Sequence, residues 1–371
     1  MPDINVRFRV LDSFRGFCAI FVVLYHLKVI GAFSEWSFFR NSGIFVEFFF
    51  ILSGFVLTHG YAFKSNLSFK NFISSRVFRL FPLHVLVLFA FIILELSKWL
   101  VSSQINVTLN NAAFTGDYSP KFILPNLLLI HAWFESFNPL SFNTLSWSIS
   151  IEFYMYIFLF ITLFIAAKYR WLVWLSITLF GFVSILVESA ILTSQSLRGL
   201  SCFFAGTLGY LIYRSRLFQS LKFSLQVATL IEVLLLFLTW YLVQSNVPNK
   251  SVLASLLFLI VILFFSLEVG HLSKILTYAF FQWLGKLSYS IYMAHGLVIY
   301  ILTALFLILP KFLNGLFTST INGERYFNLG NVLNNNLLVL MVIITVLFLS
   351  ALTYKYIEIP GQQLGRALTS T

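Results

Sequence analysis

Two side chains that lipid disfavours, Arg15 and His26, stand in the apolar stretch from Leu11 to Gly31, LDSFRGFCAIFVVLYHLKVIG. At about 100° and 1.5 Å per residue, a helix places them within about 20° of one face and roughly 16 Å apart in depth. A guanidinium near the middle of a membrane span costs on the order of 2.5–3.5 kcal/mol, so such groups usually face a protein interior or a wet cavity. Taken singly, the arginine could snorkel to a head-group and the histidine could be a packing residue. Their shared stripe favours a helix that forms one wall of a cavity. The chemistry on offer is an imidazole, whose charge changes near neutral pH.

Other groups of this kind recur along the chain. Arg76 and Arg79, in SSRVFRLFPLH, lie on one helical face just before Pro82. Paired guanidiniums can grip phosphates through charge-assisted hydrogen bonds; the alternative is a topology determinant touching lipid phosphates. In GIFVEFFFILSGFVLTHGY, Ser53 and Gly54 are small residues that let helices approach or let backbone line a cavity. Glu152 sits inside the apolar run that begins NTLSWSISIEFYMYIF, where a carboxylate needs a partner or water. Trp147 at its mouth suits an interfacial anchor. Ser288, Tyr289, Ser290, Tyr292 and His295 open a later span, either as a polar lining or as part of an aromatic belt, and Glu358 precedes Pro360 near the end.

The elements that must position these groups follow from composition. Of 371 residues, 59% are hydrophobic and 10% charged, and mean hydropathy is +0.91, far from a soluble domain. Apolar runs recur along nearly the whole length and predict an all-α polytopic membrane protein with about ten transmembrane helices. The expected spans are 11–31, 43–62, 81–101, 146–167, 171–190, 197–213, 224–245, 252–268, 287–309 and 336–357. The first is read as an uncleaved span, because Arg15 and His26 interrupt it and no small-residue cleavage pattern follows. No large soluble domain is left over, so residues 1–371 are expected to form a single domain.

The net charge of +11 is explained by Lys and Arg in short loops. They are biased about two to one toward the side that holds Arg7, Arg76, Arg79 and Arg170, which predicts both termini in the cytoplasm. A basic face with interleaved polar groups, which nucleic acid would want, is missing from the pattern. Cys18 and Cys202 imply neither a disulfide framework nor a metal site. The two longest connections, roughly 102–145 and 310–335, then lie outside. The first holds FILPNLLLIHAWF, too short and broken to span and suited to a re-entrant or interfacial position. The second, with Asn334, Asn335 and Asn336 in a row, reads as a loop.

Taken in order, these segments resemble the acyltransferase 3 family of integral membrane proteins, which transfer acyl groups, commonly acetyl, onto carbohydrates and other acceptors. Arg15 and His26 match its R-x10-H motif. Phe49, Phe50, Ser53, Gly54 and Phe55 match F-F-x-x-S-G-F, and Arg76 and Arg79 match R-x-x-R. Trp147, Ser148 and Glu152 resemble W-S-x-x-x-E. Gly285, Ser288, Tyr289, Tyr292 and His295 resemble the late S-Y-S-x-Y-x-x-H stretch, and Glu358 with Pro360 the closing I-E-x-P. The matches cover essentially the whole chain. Some members carry an appended periplasmic hydrolase-like domain, whose counterpart is not expected in this sequence.

The resemblance implies acetyl-CoA or another acyl-CoA as cytoplasmic co-substrate, no metal, a carbohydrate or lipid-linked glycan acceptor, and a place in the bacterial inner membrane. Attack on a thioester needs a base for the hydroxyl proton, a task suited to a histidine such as His26. Arg15, Arg76 and Arg79 suit the coenzyme phosphates, and Ser53 is a candidate donor to the developing oxyanion. Glu152 could orient His26 or bind the acceptor. An acyl-histidine intermediate is the alternative to direct transfer. A transporter is the alternative function, since ten helices with buried charges also fit one, although no inverted repeat is visible. A membrane-anchored interaction protein without catalysis would leave the buried Arg, His and Glu without a purpose.

Overall fold

The computed structural model describes residues 7–64, 67–104, 112–311 and 317–369. Among these, ten helices have sixteen or more residues: α1 Arg9–His26, α2 Phe45–Tyr61, α3 Phe69–Gln104, α4 Ser146–Thr162, α5 Arg170–Leu186, α6 Ser194–Arg214, α7 Leu225–Gln244, α8 Lys250–Phe265, α9 Ala279–Ile308 and α10 Val332–Thr353. Stretches containing α2, α3, α7, α9 and α10 are long and apolar enough to cross a membrane, and α4, α5 and α8 are shorter apolar helices. In α7, Ala228, Glu232, Leu235 and Val243 are buried, whereas Leu230, Val233, Leu234 and Phe237 are exposed. A helix whose outward face is this apolar is built for lipid. The chain is an all-α integral membrane protein.

The chain divides into two compact units. The first comprises 1–18, 44–76 and 151–288. Its tightest packing is between α2 and α6. A Cβ on Gly54 would overlap the Phe203 carbonyl oxygen, and one on Gly206 would overlap the carbonyl oxygen of Ile51. Backbone meets backbone there, and only glycine permits it. Beside them, Glu47 of α2 takes the Arg198 guanidinium at 2.7 and 2.8 Å and the Ser251 hydroxyl at 2.8 Å. Glu232 of α7 caps the short helix His271–Leu276, accepting the N–H groups of Gly270 at 3.1 Å and Leu272 at 3.0 Å and the Ser273 hydroxyl. These bonds satisfy both a buried carboxylate and the open donors of a helix start.

The second unit comprises 19–43, 77–150 and 289–371. The end of α1 is held by Arg40, which donates to the carbonyls of Leu24 at 2.7 Å and of Tyr25. A cation on the last carbonyls completes a helix C-terminus. Tyr289 donates to the Leu80 carbonyl at 2.6 Å, and Ser290 donates to Glu358 in a π-helical turn at Tyr354–Glu358. Wide π-helical turns of this kind recur at functional sites.

Two sequence expectations need correction. The third helix does not begin near residue 81: α3 begins at Phe69 and runs through Pro82, so Arg76 and Arg79 are helical residues of one long element. Proline is tolerated in membrane helices where neighbours satisfy the freed carbonyl. The connection around 310–335 is also more than a loop. Strands β1 Thr318–Ile321 and β2 Glu324–Phe327 form an antiparallel hairpin, and Phe327 exchanges backbone hydrogen bonds with Lys28 at 2.9 Å and Ile30 at 3.0 Å. The asparagine run belongs to the first turn of α10: Asn331 caps it by accepting the Asn334 N–H at 2.8 Å, and Asn335 donates to the Ile30 carbonyl at 2.7 Å. Asparagines that signal turns also serve as helix caps. The FILPNLLLIHAWF stretch forms the short helix Ile123–Leu127 and turns.

Replacing Gly206 by leucine should force α2 and α6 apart, at a cost of about 1–3 kcal/mol. The check is the thermal midpoint of the detergent-solubilised protein by size exclusion. A marked fall is expected, and an unchanged midpoint would refute the close contact.

Candidate functional site

His26 ends α1, and the groups around it assign its protons. Its Nδ1 lies 2.9 Å from the Val22 carbonyl oxygen, which only accepts, so Nδ1 carries the hydrogen and Nε2 keeps the lone pair. His295 of α9 is fixed the same way by the Ile291 carbonyl at 3.0 Å. Its Nε2 is then an acceptor, and it stands 3.4 Å from His26 Nδ1, with ring centroids 5.3 Å apart. The two imidazoles agree: the His26 N–H is shared between a carbonyl and a second ring, and its Nε2 is left as the basic atom. A cavity of about 490 Å³ in this unit has His26 in its wall. One turn before His295, Tyr292 accepts the Ser148 hydroxyl at 2.8 Å.

A second cluster belongs to the first unit. Ser53 donates to Glu152 Oε1 at 2.5 Å, and the Tyr156 hydroxyl donates to the same oxygen. The Arg76 guanidinium lies 5.8 Å from the centre of the Tyr156 ring and 5.4 Å from that of Tyr61, and donates to the Tyr61 hydroxyl at 3.0 Å. Tyr156 thus stands between the cation and the carboxylate, while Tyr61 holds the cation alone. Gly54, the neighbour of Ser53, sets the depth of α2 against α6.

The structure therefore brings Ser53, Glu152 and Arg76 into one cluster and gives His26 a partner of its own. Arg15 is half-buried in the first unit's part of α1, and Arg79 half-buried in the second unit's part of α3. Ser53 already gives its hydrogen to Glu152, and Glu152 is engaged by Ser53 and Tyr156. Sequence reasoning placed His295 in a polar lining or aromatic belt without pairing it to His26, and gave no role to Tyr156 or Tyr61. Two of these had a signal: His295 ends the late S-Y-S-x-Y-x-x-H stretch, and Tyr156 is one turn after Glu152. Among the described residues, no three His, Cys, Asp or Glu side chains gather as a metal site.

The family model described as "Acyltransferase domain" matches residues 8–355. "Protein 2 in picA locus" of Rhizobium radiobacter is 39% identical over 88 residues, 22% of this chain and 42% of that protein. "Acyltransferase MdmB" of Streptomyces mycarofaciens is 28% identical over 171 residues, 42% of this chain and 39% of that protein. The chain spans about two fifths of the length of these relatives. No solved structure matches it.

In protein labelled with ¹⁵N-histidine, His26 should show the Nδ1–H tautomer, and His295→Leu should perturb its Nδ1 signal. An Nε2–H tautomer at His26 would contradict the arrangement.

Proposed function

Because this chain belongs to the acyltransferase-domain family over residues 8–355, we propose that it is a membrane-embedded O-acyltransferase moving an acetyl group from acetyl-CoA to a hydroxyl of a cell-surface carbohydrate. The observation that carries the reading is the state of His26: its Nδ1–H is committed to Val22 and His295, and its Nε2 is free to accept a proton.

In this reading the acceptor hydroxyl gives its proton to His26 Nε2 as its oxygen bonds to the thioester carbonyl carbon. The tetrahedral oxyanion collapses, the carbon–sulfur bond breaks, and the coenzyme sulfur leaves as the thiol with the proton returned by the imidazolium. His295 accepts from Nδ1 and so supports the charge on His26 during transfer. Arg15, Arg76 and Arg79 suit the coenzyme phosphates, and Arg76 is held ready by Tyr61 and Tyr156. Glu152 orders Ser53 and Tyr156; the Ser53 hydroxyl can turn to an oxyanion only by leaving Glu152. The charge bias of the loops supports both termini on the cytoplasmic side of a bacterial inner membrane, where acetyl-CoA is available, and residues 1–371 act as one catalytic domain.

The test uses membranes of cells producing the protein, radiolabelled acetyl-CoA, and acetylation of membrane glycans measured beside protein level. His26→Ala should lower transfer by about 10²–10⁴-fold at normal abundance. Arg15→Ala should raise the KM for acetyl-CoA more than it lowers kcat. Acetylation unchanged in both variants would remove the assigned roles.

A further inference from the structure

One wall of the cavity beside His26 is built around a carboxylate that proton transfer does not need. Glu95 of α3 is fully buried. Its Oε1 accepts the Tyr300 hydroxyl at 2.7 Å and its Oε2 the Phe114 N–H at 2.8 Å, while the Lys98 ammonium stands 3.4 Å from Oε1. The rings of Tyr118 and Tyr300 meet edge-on with centroids 5.6 Å apart, and Lys98 lies 5.8 Å from the Tyr118 centroid. Phe91 packs on Tyr300 at 5.4 Å. Lys98, Tyr118, Tyr300 and Asn143 all line the cavity. A buried carboxylate is costly unless its partners are well placed; here those partners are three groups of the cavity wall and its supporting turn.

The volume of about 490 Å³ is that of a small-molecule site, and aromatic walls with a few convergent polar groups are how such sites orient a ligand. Aromatic rings in such a wall suit the apolar face of a saturated ring. An ammonium and a carboxamide beside them suit hydroxyl groups. Lys98 is already opposed by Glu95, so the wall is close to charge-balanced and favours a neutral ligand over an anion.

We propose that this wall is the acceptor subsite, taking a neutral pyranose-type ring with its apolar face on Tyr118 and Tyr300 and its hydroxyls toward Lys98 and Asn143, so that one ring hydroxyl faces His26. Glu95 is a positioning residue that holds Tyr300 and Lys98. The inference rests on the acyltransferase reading for the meaning of the ring, but its test needs neither acyl donor nor turnover.

The test is saturation-transfer NMR on the purified full chain in lipid nanodiscs free of glycoside detergent. The probes are the methyl pyranosides of glucose, galactose, rhamnose and N-acetylglucosamine, with methyl glucuronide as the anion. Saturation should reach the ring C–H protons of at least one neutral probe. Tyr118→Leu and Tyr300→Leu should each weaken that binding by about fivefold or more, and Tyr300→Phe, which keeps the ring but frees Glu95, should fall between wild type and Tyr300→Leu. Lys98→Gln, which leaves both rings in place, should weaken binding as well and serves if a leucine variant does not elute as a folded species. Three results would overturn the proposal: no transfer to any neutral probe, stronger transfer to the glucuronide, or binding undiminished in the folded variants. Acetylation retained in His26→Ala would remove the catalytic assignment without touching these binding readouts, which come from the unmutated chain and the wall variants, so the two readings fail separately.

Discussion

Taking a carboxylate out of water without a partner costs several kcal/mol, and among apolar helices no solvent is at hand to help. Much of the internal order of this protein follows from that constraint. Glu47, Glu95, Glu232 and Glu358 are all buried, and each is met by donors from distant segments: Arg198 and Ser251, Tyr300 and Phe114, the start of the helix at His271, and Ser290. Each carboxylate thus pins two or more helices at one relative rotation. That rotation is what apolar packing alone specifies poorly, because lipid is as apolar as the helix surface.

Glycines do the complementary work. Gly54 and Gly206 let α2 and α6 approach until backbones touch, and Gly181 makes a close but looser approach to Ser201 of α6. The helices that carry Ser53 and Arg198 therefore have little freedom to slide. A side chain such as Ser53 reaches Glu152 because the helix bearing it is set at fixed depth. In the second unit, Arg40 on the last carbonyls of α1 and the backbone pairing of Phe327 with Lys28 and Ile30 serve the same end: they hold the end of the helix where His26 must keep one orientation.

Parts of the candidate site could be read directly from residue order. A histidine and an arginine on one stripe, a serine beside a glycine, and a glutamate inside an apolar run are each visible as local anomalies, because the cost of a polar group in an apolar segment is a local quantity. The pairing of Ser53 with Glu152 and of His26 with His295 was not visible. Those residues are far apart in the chain, and nothing in the spacing of one helix tells which side of another it will face. Glu95 carries the same local signal, a glutamate inside the apolar run of α3, yet drew no notice, and its partner Tyr300 on another helix is set only by the fold. The asparagine run misled in the opposite direction, because the same side chain serves turns and helix caps, and only the neighbouring chain decides between them.

By itself, the sequence determined that the chain is helical and lies in a membrane, and it set the number and approximate limits of the long helices, because hydropathy and helical propensity act over one segment at a time. It also marked some of the side chains that would be expensive to bury, Arg15, His26 and Glu152 among them. Only the tertiary structure decided which partner each of them found, which nitrogen of His26 holds the proton, and that Tyr118, Tyr300 and Lys98 share one wall. These depend on the depth and rotation of whole helices, which are set by contacts between residues far apart in the chain.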